Sequence, residues 1–315
     1  MSPAPVFSVV APAWNEAESL PEFIRRVTAA MEQLGESWEF ILVDDGSTDA
    51  SSEVIAAEAA KDKHLRPVFF ARNFGHQIAV TAGMDYARGQ AVILIDADLQ
   101  DPPEVIPELV AKWREGFEVV YAVRRQRQGE SFFKRFTAAF FYRLINRLTE
   151  IEIPLDTGDF RLMDRRVVDV LNQMREHHRF LRGMSAWVGF RQIGVPYDRA
   201  PRFAGETHYT LPKMLRLALT AITGFSFFPL QLATYLGFAS AAVSLVAIPV
   251  VIALRLIGSQ AFFGQASTLI AVLFFGGVQL ISLGILGEYI GRLYDEARGR
   301  PLYIVRKAPE DRKEN

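Results

Sequence analysis

Ala91-Val92-Ile93-Leu94-Ile95-Asp96-Ala97-Asp98-Leu99-Gln100-Asp101-Pro102-Pro103-Glu104 is the stretch that decides the fold. Five apolar residues end on two acids, and a proline pair follows. The apolar run has the length of a buried strand, and Pro102-Pro103 suits the opening of a helix. Two carboxylates at the end of a buried strand are expensive unless they are paired or bind a metal. Oxygen donors of this kind suit Mg²⁺ or Mn²⁺, and Mg²⁺ commonly combines one or two carboxylates with substrate phosphates. The alternative is a pair of solvated loop acids or helix caps.

Outward from this stretch, short apolar runs alternate with longer amphipathic ones. Residues 6–11, 40–43, 67–71 and 119–123 read as further strands. Residues 18–34, 50–61, 77–87 and 103–114 read as helices. This alternation predicts an α/β domain with a mostly parallel sheet, helices on both faces and right-handed connections. Ligands of such sheets bind outside the carboxyl ends of the strands. Polar residues cluster there. Pro12-Ala13-Trp14-Asn15-Glu16 follows the first strand, Asp44-Asp45-Gly46-Ser47-Thr48-Asp49 the second, and Arg124-Arg125 the fifth. The acids after the second strand can accept hydrogen bonds from a base and ribose. They can equally form a tight turn at Gly46 with Ser47 or Thr48 capping the next helix, and both readings can hold. Glu16 can be a first-turn acid favoured by the helix dipole.

The rest of the 315-residue chain differs in character. The whole chain has a net charge of −1, so bulk electrostatics give no reason to expect nucleic acid as a partner. It has no cysteine, which excludes disulfides and thiol chemistry. No Asp, Glu, Lys or Arg stands between Arg216 and Arg255, and none between Arg255 and Glu288. Each gap exceeds the roughly 20 residues needed to cross a bilayer. Membrane helices are expected near 229–254 and 267–287, the first kinked at Pro249, in preference to a buried hairpin of a soluble protein. Arg202, Lys213 and Arg216 precede them, Arg292, Arg298, Arg300, Arg306 and Lys307 follow, and the intervening loop 258–266 is uncharged. The positive-inside rule then places both termini in the cytosol. Residues 1–11 show no signal-peptide pattern, so the catalytic part is expected on the cytosolic face. The expected organisation is a catalytic domain over 1–205, an amphipathic interfacial helix region over 206–226, two spans within 227–291 and a basic tail over 292–315.

Further along the expected catalytic domain come an apolar-basic helix over 132–148 and a loop holding Asp156-Thr157-Gly158-Asp159-Phe160-Arg161. A third helical stretch follows, then Arg179-Phe180-Leu181-Arg182-Gly183. Arg124, Arg125, Arg127, Lys134 and Arg135 can supply a basic approach, with the Phe-rich stretch from Phe132 to Tyr142 resting on the membrane interface. The same stretch can instead be a core helix with solvated basic ends. Arg179 and Arg182 can bind phosphate or pair with nearby acids. His177 and His178 have no zinc-ligand pattern.

Together, Pro12-x-x-Asn15-Glu16, Asp44-Asp45-Gly46-Ser47-x-Asp49 and Asp96-x-Asp98-x-Gln100-x-Pro102-Pro103-Glu104 resemble the inverting family 2 glycosyltransferases with the GT-A fold. The segments 158–162 and 179–183 and the two spans make the chain similar to polyprenyl-phosphate glycosyltransferases, a group with dolichyl-phosphate mannose synthase and, nearer in pattern, the GtrB-type bactoprenol glucosyltransferases. The resemblance implies that Pro12, Glu16 and Asp44 surround the nucleobase and ribose and that Asp96 contacts the ribose or the metal region. It implies that Asp98, with Gln100 and Asp96 nearby, holds Mg²⁺ or Mn²⁺ on the diphosphate. Arg124 stands where the family places a phosphate-binding arginine, and Asp159 matches a catalytic acid or base. Arg125, Lys134, Arg179, Arg182 and His208 are candidates for the lipid phosphate. Trp14 replaces the usual Tyr or Phe and can still stack. Gly205-Glu206-Thr207-His208-Tyr209 carries His where the family often has Lys, which replaces a permanent charge with a titratable one.

The implied activity is inverting transfer of a sugar, glucose from UDP-glucose as the first expectation, to polyprenyl (undecaprenyl) phosphate at the cytoplasmic membrane. GDP-mannose, UDP-N-acetylglucosamine or a modified pentose are alternative donors, and an inactive membrane scaffold is the non-enzymatic alternative. Resemblance suggests a homo-oligomer, with a tetramer as one form. A polymer synthase is disfavoured because there is no Gln-x-x-Arg-Trp motif and there are only two spans. A dinucleotide oxidoreductase is disfavoured because no Gly-x-Gly-x-x-Gly follows the first strand.

Overall fold

A computed structural model describes residues 4–125, 157–199, 223–224, 226–257 and 265–309. The chain divides into two compact units, one with a sheet that also includes residues after 301, the other with two long apolar helices.

The sheet has eight strands: β1 Phe7–Ala13, β2 Trp38–Asp44, β3 Leu65–Phe70, β4 Ala91–Leu94, β5 Val119–Arg124, β6 Thr157–Asp164, β7 Gln192–Tyr197 and β8 Val305–Lys307, in the order β7-β5-β6-β4-β1-β2-β3-β8. Every residue of β1, β2 and β4 is buried, as expected where helices cover both faces of a parallel sheet. The helices are α1 Leu20–Glu32, α2 Ser51–Ala59, α3 His76–Tyr86, α4 Ile106–Arg114 after a 3₁₀ turn at Pro103–Val105, α5 Arg165–Gln173 and α6 Leu181–Trp187. In α1 the buried residues Leu20, Phe23, Ile24, Val27, Ala30 and Met31 form one stripe, and Phe23 meets Phe40 edge-on at 5.9 Å. In α3 a Cβ at Gly83 would lie 2.2 Å from Val10 Cγ1, so the glycine sets how closely this helix lies on β1. That closeness brings the N-terminus of α3 to the carboxyl edge of the sheet.

The four strands β3-β2-β1-β4 are parallel, as the alternation predicts. Beyond β4 the sheet is mixed. Residues expected as a loop around Asp159 form β6, which runs antiparallel between β4 and β5. Seven of its eight residues are buried, including Asp159 and Arg161. Charges at that density look like a loop in the sequence; here they compensate one another. A second difference concerns the tail. Val305–Lys307 pairs antiparallel with β3, the Ala71 N–H donates to the Ile304 carbonyl at 2.9 Å, and Tyr303 stacks on Phe70 at 5.2 Å. Three residues with two basic side chains carry too little pattern to read as a strand.

The second unit contains α7 Phe228–Leu256, which continues through Pro249, and α8 Gln265–Ala297. Their apolar windows have mean hydropathies of 2.3 and 2.4 and no buried residues. Both are long and apolar enough to cross a membrane. The second extends ten residues past the expected end at 287, through a Glu288–Arg292 pair at 3.1 Å. The expected helix over 132–148, with Lys134, and residues 206–222 of the expected interfacial region, with His208, lie outside the described residues.

Candidate active site

Three loops converge at the carboxyl edge. The first two are stitched together by side chains. Asn15, at φ 57°, accepts a hydrogen bond from the Thr48 N–H at 2.8 Å, and its own N–H donates to Ser47 Oγ at 3.0 Å. The Glu16 N–H donates to Ser51 Oγ at 2.8 Å, and Ser19 Oγ donates to the Glu16 carboxylate at 2.7 Å. Ser47 and Thr48 therefore bind the neighbouring loop; α2 starts later, at Ser51, with no side-chain cap. Pro12 is buried near the end of β1, and Trp14 two residues on is 43% exposed. Asp44 is fully buried and accepts from the Ser47 N–H at 3.0 Å and from Ser52 Oγ.

Asp45 turns the other way. It accepts from the Phe74 and Gly75 N–H groups at 2.7 and 2.9 Å. Burial pushes its carboxyl up to about 6 against the pull of those two donors. Gly46, at φ +65°, lets the loop pass the backbone after β3: a Cβ there would stand 2.3 Å from the Arg72 carbonyl carbon. A side chain at this position would separate the two loops.

The third loop carries Asp96, Asp98, Gln100 and Asp101. Leu99 adopts φ 60°, and the Gln100 N–H closes onto Asp98 Oδ1 at 3.1 Å. Asp98 and Gln100 are half-buried at the rim. Asp101 is fully buried and accepts from the Tyr197 hydroxyl, while its Oδ2 has no hydrogen-bond partner among the described residues. Burial, then the nearby Asp96 charge, raises its carboxyl to about 6. Arg124 Nε donates to the Tyr197 oxygen at 3.4 Å, and a Cβ on Gly158 would lie 3.0 Å from Arg124 Nη2. Arg124, Tyr197, Asp101 and Gly158 thus share one corner.

Next to it is a charge network. Asp159 Oδ1 accepts from Arg182 Nε at 2.8 Å and Oδ2 from Gln77 Nε2 at 3.1 Å, with His76 Nδ1 at 3.7 Å. His76 Nε2 lies 2.8 Å from Asp96 Oδ1. Arg161 donates to Ser185 Oγ and, at 3.0 Å, to the Gly158 carbonyl. Burial opposes the charge on Asp159, but Arg182, His76 and Arg161 outweigh it and hold the carboxyl well below the usual range. Burial likewise works against the charge on His76, and Asp96 and Asp159 overcome it, raising the imidazole to about 9. The site therefore holds an ionised aspartate locked to cations.

The structure brings together Asp96, Asp159 and Arg182 through His76, and places Arg124 at the adjoining corner. Arg125 stands apart, 59% exposed and 3.7 Å from Asp198. Arg179 is buried and donates to the carbonyls of Leu171, at 3.1 Å, and Met174 at the end of α5. These bonds serve the end of the helix, because those carbonyls have no intrahelical partners. Arg182 pairs with an acid, Asp159, at 2.8 Å. His76, Gln77, Asp101 and Tyr197 escape the sequence reading. His76 and Gln77 are signalled only by Gly75, at φ +100°, which opens α3 on the carboxyl edge.

No group of three or more His, Cys, Asp or Glu side chains among the described residues is arranged to hold a metal. The donors present, Asp96 and Asp98 with Gln100 beside them, are hard oxygens. They fit a Mg²⁺ or Mn²⁺ ion that takes its remaining ligands from water and a diphosphate.

The family model described as Glycosyl transferase family 2 matches residues 8–171. An uncharacterized glycosyltransferase of Bacillus subtilis (strain 168), YkcC, is 50% identical over 302 residues, covering 96% of this chain and 94% of that one. A prophage bactoprenol glucosyl transferase homolog of Escherichia coli (strain K12) is 43% identical over 300 residues, covering 95% and 98% of the two chains. The bactoprenol glucosyl transferase of Shigella phage SfII is 43% identical over 301 residues, covering 96% and 97%.

Proposed function

We propose, since this chain belongs to glycosyl transferase family 2, that it transfers glucose from UDP-glucose to a polyprenyl phosphate at a membrane. The observation that carries this reading is the pairing, in one chain, of a carboxyl-edge site built from acids and arginines with two apolar helices of membrane length. Similarity over almost the full length to bactoprenol glucosyl transferases supports the same acceptor and sugar. The positive flanks of the spans support a cytosolic site and cytosolic termini.

The donor's base and ribose would lie along Pro12, Glu16 and Asp44, with Trp14 available to stack. Asp98 and Asp96, with Gln100, would hold the divalent ion, which supplies charge neutralisation at the diphosphate when bound. Arg124, fixed by Tyr197, meets the negative charge that grows on the leaving diphosphate. Arg182, fixed by Asp159, faces the acceptor phosphate. The bond from C1 to the diphosphate oxygen breaks as a lipid-phosphate oxygen bonds to C1 on the opposite face, through an oxocarbenium-like state. In-line attack on an α-linked donor gives a β-linked product.

The acceptor is a phosphate monoester with a second pKa near 6, so it arrives largely dianionic and needs no strong base. Asp159, held ionised by Arg182 and His76, is suited to orienting those cations and poorly suited to taking a proton. The test is a transfer assay in detergent with Mg²⁺ or Mn²⁺, polyprenyl phosphate and a panel of labelled nucleotide-sugars. Label entering lipid from UDP-glucose, and lost with EDTA, is expected. Label from a different donor would replace the sugar assignment, and no lipid product from any donor would overturn the reading.

A further inference from the structure

We infer that Gln77 is a positioning residue that sets Arg182 for the acceptor phosphate by tying the start of α6 to Asp159. The inference rests on the reading of Arg182 given above. Gln77 lies in the first turn of α3, at the carboxyl edge, and uses both ends of its carboxamide. Nε2 donates to Asp159 Oδ2 at 3.1 Å, and Oε1 accepts from the Leu181 N–H at 2.9 Å. Leu181 is the first residue of α6, and Phe180 before it provides no side-chain cap. The opening N–H groups of a helix have no partner within the helix. Gln77 supplies an acceptor for this one from 104 positions earlier in the chain.

The next residue is Arg182, whose Nε donates to the other Asp159 oxygen at 2.8 Å. Gln77, Asp159, Arg182 and Leu181 therefore close a ring of hydrogen bonds and backbone. Anchoring an arginine at Nε from one side, and its backbone from the other, fixes the direction of the guanidinium plane. Binding of an anion then costs less ordering of that side chain. His76, the preceding residue, lies 2.8 Å from Asp96. The His76-Gln77 pair thus connects the donor-side carboxylate to the acceptor-side arginine.

The chemistry needs an amide of this length. Glutamate at 77 could still accept from Leu181 N–H but would set a carboxylate against Asp159 in place of a donor. Alanine removes both bonds. Because Gln77 touches neither reactant in this reading and its two shorter bonds both lead to Arg182, its loss should act mainly through that arginine.

The test uses the full-length detergent-solubilised protein and four variants: Gln77→Ala, Gln77→Glu, Arg182→Ala and the Gln77→Ala/Arg182→Ala double. Three quantities are read: KM for polyprenyl phosphate, Kd for UDP with Mn²⁺ by calorimetry, and the melting temperature. Gln77→Glu preserves size and the Leu181 bond, so it stands in if the alanine variant does not fold. Each Gln77 variant should raise the acceptor KM roughly tenfold, a differential of about 1.4 kcal/mol, with the UDP Kd within about twofold of the parent. The double variant should be no worse than Arg182→Ala, the signature of residues acting as one unit. Additive losses, or UDP affinity falling in step with the acceptor KM, would overturn the inference. An unchanged acceptor KM in Arg182→Ala would sink the reading of Arg182 itself, and the inference with it.

Discussion

At the amino edge of the sheet Glu39 accepts from Ser8 Oγ at 2.7 Å, from the Arg88 N–H at 2.7 Å and from Arg88 Nε at 3.0 Å, and it pairs with Arg66 at 2.6 Å. At the carboxyl edge Asp101 is just as buried, yet one of its oxygens meets no hydrogen-bond donor among the described residues. Both edges use carboxylates and arginines. One is closed on itself; the other holds charges whose environment disfavours them, with Asp45 and Asp101 both raised to about 6. Buried polar networks rigidify a fold only when every member is satisfied. Glu39 meets that condition and needs no ligand. The carboxyl edge departs from it, and it is there that the proposed reaction would receive a charged nucleotide and phosphate.

That division predicts opposite consequences for superficially similar substitutions. Glu39→Gln should be the most damaging to the fold, because Arg66, at 10% side-chain exposure, is left without its carboxylate. Breaking a buried pair from one side costs about 3–5 kcal/mol. Denaturant unfolding should show that loss, while kinetic constants measured below the melting range stay at parental values. Asp98→Asn should do the reverse. Transfer falls by a factor on the order of 10²–10³ once diphosphate charge is poorly compensated, and the melting temperature stays put because Asp98 is half-buried at the rim. If Glu39→Gln altered a KM, or Asp98→Asn melted the protein, the two edges would not be separable.

How much of this division was legible depends on which residues announce themselves. The parallel strands β1 to β4 read directly, since runs such as Ala91–Leu94 are continuous, apolar and end on polar loops. Asp96 and Asp98 stand out in the sequence because two carboxylates at the end of a buried strand need a partner or a metal. Strand β6 did not, because Asp159 and Arg161 are tolerable in a buried strand only when Arg182, Gln77 and Ser185 arrive from elsewhere in the chain. No local pattern encodes that arrival. The same applies to Tyr197, which β7 brings to Asp101 across 96 positions, and to Glu39, whose partners are spread over β1, β3 and the end of α3. The bonds from Arg179 to the carbonyls at the end of α5 were likewise invisible in the sequence, because they depend on how the chain after that helix folds back on it.

The strained charges of the carboxyl edge also predict a pH signature of moderate size. For Asp45 and Asp101 the folded carboxyl titrates near 6, above its ordinary value near 3.9. The folded protein then binds those protons more tightly than the unfolded chain, so stability falls as pH rises through 6. For His76 the folded value is about 9 against an ordinary value near 6.5. Its contribution is complete below about 6.5 and is lost as pH rises through 9. Both effects have the same sign, so the melting temperature of the unliganded protein should decline from pH 5 to pH 9. Asp45→Asn should flatten the portion between 5 and 7, and calorimetric scans across that range measure it. A melting temperature that rises over the same interval would show that the carboxyl edge is not the strained one.

The smallest effect tests whether the closed character of the amino edge reaches the segment after the apolar helices. The Tyr303 hydroxyl donates to Asp85 Oδ2 at 2.7 Å, and Arg175 Nη1 binds the same carboxylate at 2.9 Å. Asp85 lies in the last turn of α3, while His76 and Gln77 occupy its first. Eleven residues at about 1.5 Å each separate the two ends by roughly 15 Å. Tyr303→Phe removes one hydrogen bond but keeps the ring on Phe70 and leaves Asp85 paired with Arg175. The loss should therefore sit near the lower end of the usual 0.5–1.5 kcal/mol for a hydrogen bond, seen as a small shift in denaturant midpoint with unchanged transfer kinetics. A change in the acceptor KM would mean instead that α3 carries information from its C-terminal end to Gln77. The two edges would then be coupled through that helix, and β8 would be part of the active site's support as well as the sheet's border.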